Sequence, residues 1–430
     1  MDDPTSLLFG LDGFVVLEVA DVAGEDATVR VVVETEPGEA ACPDCGVIAS
    51  RIKDRPLCRI KDLPACGQRV LLWWRKRRLV CSEARCQRRS FVERVDQVPF
   101  RSRLTTRLRD HLGTAIARSN RSVADVAGEH DVAWVTAHKA LVELAARLLP
   151  GPAPTAVLGI DETRARSVRW ILEPAGWKRS DPWLTSFVDT DPTRSGRLLG
   201  LAPGRSGGCV KAWLDAQSQA FRAGVEVVVI DPSAPYASGI RAALPDAQIA
   251  VDHWHLVRLG NDMVTEVRQR VAREQLGRRG RKLDPAWAHR RMLLAAGNRL
   301  SARQLTRLGQ VLAADDPTDE IGAAWAVKEL LRQLLSERDP DRIRHRLWKF
   351  YDAAARVNMP ETARLATTIE TWWPHIEVFL RLDITNARTE GFNRIIKQVK
   401  RVACGFRNMD NYQRRILTHI AITRPRQAAA

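Results

Sequence analysis

The stretch Asn386-Ala-Arg-Thr-Glu-Gly-Phe-Asn-Arg-Ile-Ile-Lys-Gln-Val-Lys-Arg-Val402 carries two faces at helical spacing. At about 100° per residue, Asn386, Glu390, Asn393, Lys397 and Arg401 fall on one stripe. Phe392, Ile395, Ile396, Val399 and Val402 take the opposite one, so the spacing predicts an amphipathic helix. Glu390 heads a polar line that runs into Lys397, Lys400 and Arg401. With the apolar face packed on a sheet edge, Glu390 would approach the sheet and the cations would continue along a phosphate backbone. A solvated helix face is the competing reading. At 1.5 Å per residue Arg401 stands roughly 16 Å beyond Glu390 along the axis, the reach of about two to three phosphates.

A sheet for that helix to meet is written upstream. Strand-like runs occupy 156–160, 184–188, 198–202, 225–230 and 248–251, with a helical segment over 210–222 between the third and fourth. That order predicts a mixed sheet covered by helices, followed by a helical region from about 256 to 380. Carboxylates stand where strands end: Asp161 and Glu162, then Asp231, then Asp252. Grouped acids repel unless something cationic binds, and a divalent metal is the economical answer. Side chains alternate along a strand, so only one of Asp161 and Glu162 can face a shared site. Any single acid is equally well a loop carboxylate or a helix cap, and Asp231-Pro232-Ser233 is placed to cap the following helix.

Leu149-Pro-Gly-Pro-Ala-Pro154 is a stiff linker and marks a domain boundary. Before it, β-branched runs at 13–20 and 27–35, separated by Gly24-Glu-Asp26, read as a hairpin. Cys42-Pro-Asp-Cys45 and Cys81-Ser-Glu-Ala-Arg-Cys86 form two close pairs, which suits tetrahedral Zn²⁺. Cys58 and Cys66 are rivals for a ligand position. Val70-Leu-Leu-Trp-Trp-Arg-Lys-Arg-Arg78 leads into the second pair as a strand, on which Arg75, Arg77 and Arg78 face phosphate oxygens or simply solvent. Ser122 caps a short helix to Glu129, His130-Asp131 turns the chain, and a second helix follows from Val132. This is compatible with a helix-turn-helix, or with any helical hairpin; Trp134, Thr136, His138 and Lys139 would then lie on the groove-facing helix.

The charge supports a polyanionic partner. The 430 residues carry a formal net charge of +16, and residues 51–121 hold 20 Lys or Arg against 6 Asp or Glu, whereas residues 1–50 hold 1 against 11. A general Arg bias does not produce such a swing between neighbours, so nucleic acid binding is expected. Hydrophobic content of 45% with 27% charged residues is ordinary for a globular protein, and no apolar run reaches membrane-spanning length. The start, Met1-Asp-Asp-Pro4, lacks a secretory pattern, and eight cysteines are too sparse for a disulfide scaffold. The expectation is a cytoplasmic, nucleoid-associated protein with reduced thiols and no membrane partner.

Gly159-Ile-Asp-Glu162, Ile230-Asp231, Val251-Asp-His-Trp-His255, Ala326-Val-Lys-Glu-Leu-Leu331, the Asn386 to Lys397 block, Gly405-Phe-Arg-Asn408 and Asn411-Tyr412, with the two cysteine pairs, resemble the ISL3-type bacterial insertion-sequence transposases. The resemblance covers most of the chain. It implies a multidomain fold: a β-rich hairpin and zinc ribbon (1–95), an all-α helix-turn-helix (96–150), and an α/β ribonuclease H-like catalytic domain in two parts (151–256 and 383–430). An all-α insertion (257–382) would interrupt that domain. It further implies Asp161, Asp231 and Glu390 as the catalytic, Mg²⁺- or Mn²⁺-binding triad, with Asp252, His255, Trp372 and Trp373 as possible auxiliaries. The chain departs from the family pattern at Pro232-Ser233, after Asp231. The implied activity is DNA transposition by two-metal phosphoryl transfer. Its partners would be double-stranded DNA, as terminal inverted repeats and target, bound by a homodimer. A DNA-binding regulator with an inactive catalytic region and a structure-specific nuclease are the alternatives. Trp372-Trp373 would stack on an unpaired base at the cleavage site or, as core residues before Pro374, anchor a helix end.

Overall fold

The β-branched runs near the start pair as the sequence predicts, Phe14–Asp21 antiparallel to Thr28–Thr35. Thr28–Thr35 then runs parallel to Arg69–Arg75, whose other edge takes Leu57–Lys61 antiparallel. Arg69–Arg75 alternates strictly, and Val70, Leu72 and Trp74 are buried with Phe14, Val31, Val33 and Ile60. This computed structural model describes residues 4–22, 28–65, 67–149 and 151–424. Residues 1–3, the Gly24-Glu-Asp26 turn, Cys66 and Pro150 of the linker lie outside them.

The expected single strand over 70–78 is two. Arg69–Arg75 belongs to the four-stranded sheet, while Arg78–Val80 is the centre of a separate three-stranded sheet with Ile52–Asp54 and Ser90–Val92. The chain breaks at Lys76-Arg77 because a backbone carbonyl and a side-chain carboxylate claim its N–H groups there. The Lys76 N–H donates to the Pro56 carbonyl, and the Arg77 N–H donates to Glu93 Oε1 at 2.6 Å.

Three helices follow, Thr106–Arg118, Val123–Glu129 and Trp134–Leu148, around Leu108, Leu112, Ile116, Val126, Ala137 and Leu141. Thr105 and Ser122 cap the first two, each accepting a backbone N–H three residues on. Asp131 takes a left-handed conformation, φ 48°, in the turn before the third helix. The C-terminal helix Met409–Thr423 packs on Thr106–Arg118 and Trp134–Leu148. Buried Arg415 there donates to Asn120 Oδ1, and His419 Nδ1 lies 2.8 Å from the Ala117 carbonyl oxygen. The sequence reading kept 383–430 whole; in the structure 399–430 group with 1–150 as one unit, and 151–398 form the other.

The second unit is built on a five-stranded sheet: β1 (Val157–Arg164), β2 (Trp183–Asp189), β3 (Arg197–Pro203), β4 (Val227–Ile230) and β5 (Gln248–Val251). The order is β3-β2-β1-β4-β5, with β1, β4 and β5 parallel and β2 antiparallel to both of its neighbours, β1 and β3. Alternate residues serve two cores, as period-two side chains must. Leu158, Ile160, Val228 and Ile230 pack in one cluster with Val210, Leu214, Tyr236 and Ile240 of helices Gly207–Asp215 and Ala234–Ala243. Val157, Val227, Val229 and Val251 belong to the other, with the helices that fill His253–Leu276 to Pro360–Leu382. The helix expected over 210–222 is two, because Ser218 caps a new start at Gln219–Ala223. A second difference is the hairpin Arg169–Glu173/Gly176–Ser180 between β1 and β2, which has no counterpart in the expected element order.

Candidate active site

Three parallel strands deliver acids to one end of this sheet. Gly159 of β1 stands opposite Val229 of β4, so Asp161 and Asp231, each two residues further, lie side by side. Asp231 follows the end of β4, whereas Asp161, expected after its strand, lies inside β1, which runs on to Arg164 because Asp161 to Arg164 stay paired with β2. Ile230 pairs with Val251 of β5, and the Asp252 N–H donates to the Ile230 carbonyl at 3.0 Å.

Asp161 turns toward the Ala387–Val402 helix, where Asn393 Nδ2 donates to its Oδ2 at 2.7 Å. Its Oδ1 accepts the Glu162 backbone N–H at 2.7 Å. Burial, then the charge of neighbouring Asp231, push this carboxyl up to about 7. Glu162 points to the other face, toward Tyr236, and burial together with Asp231 raises its carboxyl too. Asp231 Oδ2 lies 3.0 Å from His255 Nε2, and His255 Nδ1 lies 3.4 Å from Asp252 Oδ2. Burial opposes a charged imidazole, but the two carboxylates outweigh it and hold the ring up to about 10. Asp231 does not cap the next helix. Ser233 occupies that position, and Asp231 Oδ1 is buried without a hydrogen-bond partner among the described residues.

A buried orphan carboxylate oxygen beside a second, charge-repelled carboxylate is an all-oxygen donor set suited to a hard divalent cation such as Mg²⁺ or Mn²⁺. Among the described residues, Asp231, Asp252 and His255 have ligand atoms within 4.8 Å of one another. Glu390 is not in that group. It is half-buried in the first turn of its helix, one turn ahead of Asn393.

The polar stripe of that helix divides. Asn386 and Asn393 are buried, while Lys397 and Arg401 are exposed. The Asn386 N–H reaches Asp252 Oδ1 at 3.4 Å, its Nδ2 reaches the Ile160 carbonyl at 3.5 Å, and Asn393 Oδ1 accepts from Ser186 Oγ at 3.1 Å. The buried face therefore mixes these amides with Thr389, Phe392, Ile396 and Val399; Val402, expected on the apolar face, is exposed. Gly159 makes this seat: a Cβ there would stand 2.3 Å from Thr389 Oγ1 and 2.9 Å from Asn386 Oδ1. Among the proposed site residues neither Gly159 nor the two amides is named: the signal of the amides lies in the spacing around Glu390, and that of Gly159 in the Gly159-Ile-Asp-Glu162 motif.

In the other unit Cys42, Cys45, Cys81 and Cys86 converge. Their Sγ atoms approach to 3.9 Å (Cys42–Cys86) and 3.6 Å (Cys45–Cys81). Tetrahedral zinc with 2.3 Å bonds requires sulfurs about 3.8 Å apart, so the thiols fit the ion. Cys58 stands outside the cluster.

The proposed phosphate-facing arginines differ among themselves. Arg77 is corrected: its guanidinium is buried, bonded to Glu93 Oε2 at 2.8 Å and to the Gly38 carbonyl, so it braces the fold. Arg75 lies 4.0 Å from Glu34, and Arg78 pairs with Asp54 at 3.0 Å; both remain partly open to solvent. On the third helix Trp134 is 49% exposed and stacks on His138, Thr136 is half-buried, and Lys139 is exposed beside Glu143. Lys400 is half-buried. Trp372 and Trp373 are partly buried against the cores of the second unit, and Pro374 sits inside the Pro360–Leu382 helix rather than near its end.

Known proteins are similar to this chain at both places. The model of the ISL3 DDE family, described as transposase, matches residues 158–416, and that of the zinc-finger of IS204/IS1001/IS1096/IS1165 transposases matches 38–86. The transposase of insertion sequence element IS1001 from Bordetella parapertussis is 24% identical over 417 residues, covering 94% of this chain and 95% of the relative. That of IS1557 from Mycobacterium tuberculosis is 26% identical over 257 residues, covering 55% and 56%. The first family model spans more than half of the chain, including β1 and the Glu390 helix, and the chain belongs to the ISL3 family of insertion-sequence transposases.

Proposed function

We propose that the chain binds the terminal inverted repeats of its element and carries out Mg²⁺-dependent strand cleavage and strand transfer on a ribonuclease H-like catalytic domain interrupted by the helices of 257–382. The observation that carries this reading is the meeting of Asp161, within β1, and Asp231, just past the end of the adjacent parallel strand β4, in a sheet ordered β3-β2-β1-β4-β5, with the Glu390 helix seated beside them. Asp161, Asp231 and Glu390 would hold the ions. A bound pair of Mg²⁺ or Mn²⁺ supplies charge neutralisation at the phosphoryl group and a lowered pKa for the attacking hydroxyl. The chain's own residues position. Asn393 fixes the Asp161 carboxylate, and His255, held between Asp252 and Asp231, fixes one Asp231 oxygen and leaves the other to face the site.

DNA recognition falls to the zinc ribbon and the three-helix segment as a helix-turn-helix, with Trp134, Thr136, His138 and Lys139 toward the groove and Arg75 and Arg78 toward phosphates. Exposed Lys397 and Arg401, with Lys400, extend the contact along the backbone. A homodimer pairs the two ends. The test supplies pre-cleaved element ends, a target plasmid and Mg²⁺. Wild type joins ends, and Asp231→Asn lowers joining by at least about a thousandfold while end affinity stays within about twofold. Joining by Asp231→Asn at the wild-type rate contradicts the assignment; cutting without joining marks a nuclease, and binding alone marks a regulator.

A further inference from the structure

Between β1 and β2 the hairpin Arg169–Glu173/Gly176–Ser180 stands with nearly every residue in solvent. Directly opposed residues share a face, so Trp170 and Arg179 lie with Leu172 and Trp177 on one side of the ribbon. Trp170 is 61% exposed, Leu172 66% and Trp177 67%. Two isolated strands are marginally stable in water, and a ribbon that leaves two tryptophans and a leucine uncovered calls for a partner. Its charge says which kind. Glu173 pairs with Lys178 at 3.1 Å, whereas Arg169 and Arg179 have no acidic partner among the described residues, so the ribbon is cationic as well as aromatic. Its position agrees: Arg164, the last residue of β1, lies three positions, about 10 Å, beyond Asp161, and the hairpin is rooted where the Ala165 N–H donates to the Pro182 carbonyl.

Resting on the strand-transfer reading above, we propose that this ribbon is a stacking clamp for unpaired nucleotides of the DNA strand beside the acids. Trp170 and Trp177 take base faces, and Arg179, on the same side of the ribbon, takes an adjoining phosphate. Aromatic stacking of this kind is tolerant of sequence and is reinforced by neighbouring arginines. A second copy of the chain is disfavoured as occupant, because two such ribbons would bring arginine against arginine.

The test measures binding of the full chain, without added divalent metal, to a fluorescein-labelled duplex of arbitrary sequence. One probe ends blunt and the other carries a tail of about four unpaired thymidines. Wild type is expected to prefer the tailed probe by about tenfold. The Trp170→Ala/Trp177→Ala double variant loses that preference and keeps blunt-duplex affinity within about twofold, while Trp170→Phe/Trp177→Phe retains most of it, which separates stacking from misfolding. Equal binding of both probes by wild type overturns the proposal, as does an undiminished preference in the alanine variant. So does a DNA-free dimer, seen by light scattering, that the alanine pair converts to monomer. No strand is cut in this measurement, so a chain that never joins ends contradicts the proposed function and leaves the tail preference to be judged alone.

Discussion

Gly159 has no side chain to offer the chemistry, yet the site depends on it. Asn386 and Thr389 lie against the sheet where β1 presents bare backbone, in space that a Cβ at Gly159 would fill. Gly159→Ala is expected to destabilise the protein by about 1–3 kcal/mol, the usual range for overpacking. Because the helix must lift away from Asp161, joining of DNA ends should fall further than stability alone explains. Denaturant unfolding alongside a joining assay checks this; unchanged stability and joining would show that the helix has room to spare. Asp231 and Asp252 were legible as strand-end acids because an apolar run followed by a carboxylate is a local pattern, whereas Asp161 and Glu162 lie inside their strand, since pairing with β2 carries β1 on to Arg164. Asn386 and Asn393 were legible as a stripe but not as buried groups. A helical wheel gives angles, and it is the Asp161 carboxylate, the Ile160 carbonyl and the Ser186 hydroxyl, more than 200 residues away, that supply the amides with partners.

At the scale of elements, the close cysteine pairs stand on turns whose strands they join, and four thiols at 3.6–3.9 Å approach distances hold the small sheet of Ile52–Asp54, Arg78–Val80 and Ser90–Val92 together around Leu79 and Phe91. Metal analysis should find one zinc per chain. Cys45→Ser should lose it and release hydrogen-exchange protection in Arg78–Val80 while the helix Thr106–Arg118 keeps its own. A variant that holds its full zinc would exclude Cys45 as a ligand. Strand order within the five-stranded sheet was readable as far as a mixed sheet with helices. The hairpin at 169–180 was not, because Trp170, Ile171 and Leu172 are consecutive apolar residues without alternation, all exposed. The break at Lys76-Arg77 was equally hidden, since it depends on Glu93 drawing Arg77 inward. Pro374 marks no helix end because Ile369, Ile376 and Phe379 bury on both sides of it and carry the helix through.

Across the whole molecule the linker at 149–154 is where the sequence places a boundary and where the chain divides, but the chain also returns. Met409–Thr423 lies on the helices of the first unit through buried Arg415 and through His419, so the covalent linker is not the unit's only tie to the rest of the chain. A protease site placed at 151–154 and cut should leave the two fragments co-eluting. Arg415→Ala, which strips a buried guanidinium of its bonds to Asn120 and the Arg121 carbonyl, should weaken that association by about 1–3 kcal/mol. Separation of the cut wild-type fragments would place the tail's contribution near zero. The central claim concerns which residues hold the catalytic ions. Geometry groups Asp231 with Asp252 and His255, whereas the proposed function assigns the ions to Asp161, Asp231 and Glu390. Mn²⁺ titration of zinc-loaded protein, for wild type, Glu390→Gln and Asp252→Asn, decides between them. The account predicts that Glu390→Gln loses Mn²⁺ affinity by at least about tenfold, while Asp252→Asn, acting through His255, loses less. Wild-type Mn²⁺ binding by Glu390→Gln, with binding lost in Asp252→Asn, would contradict it.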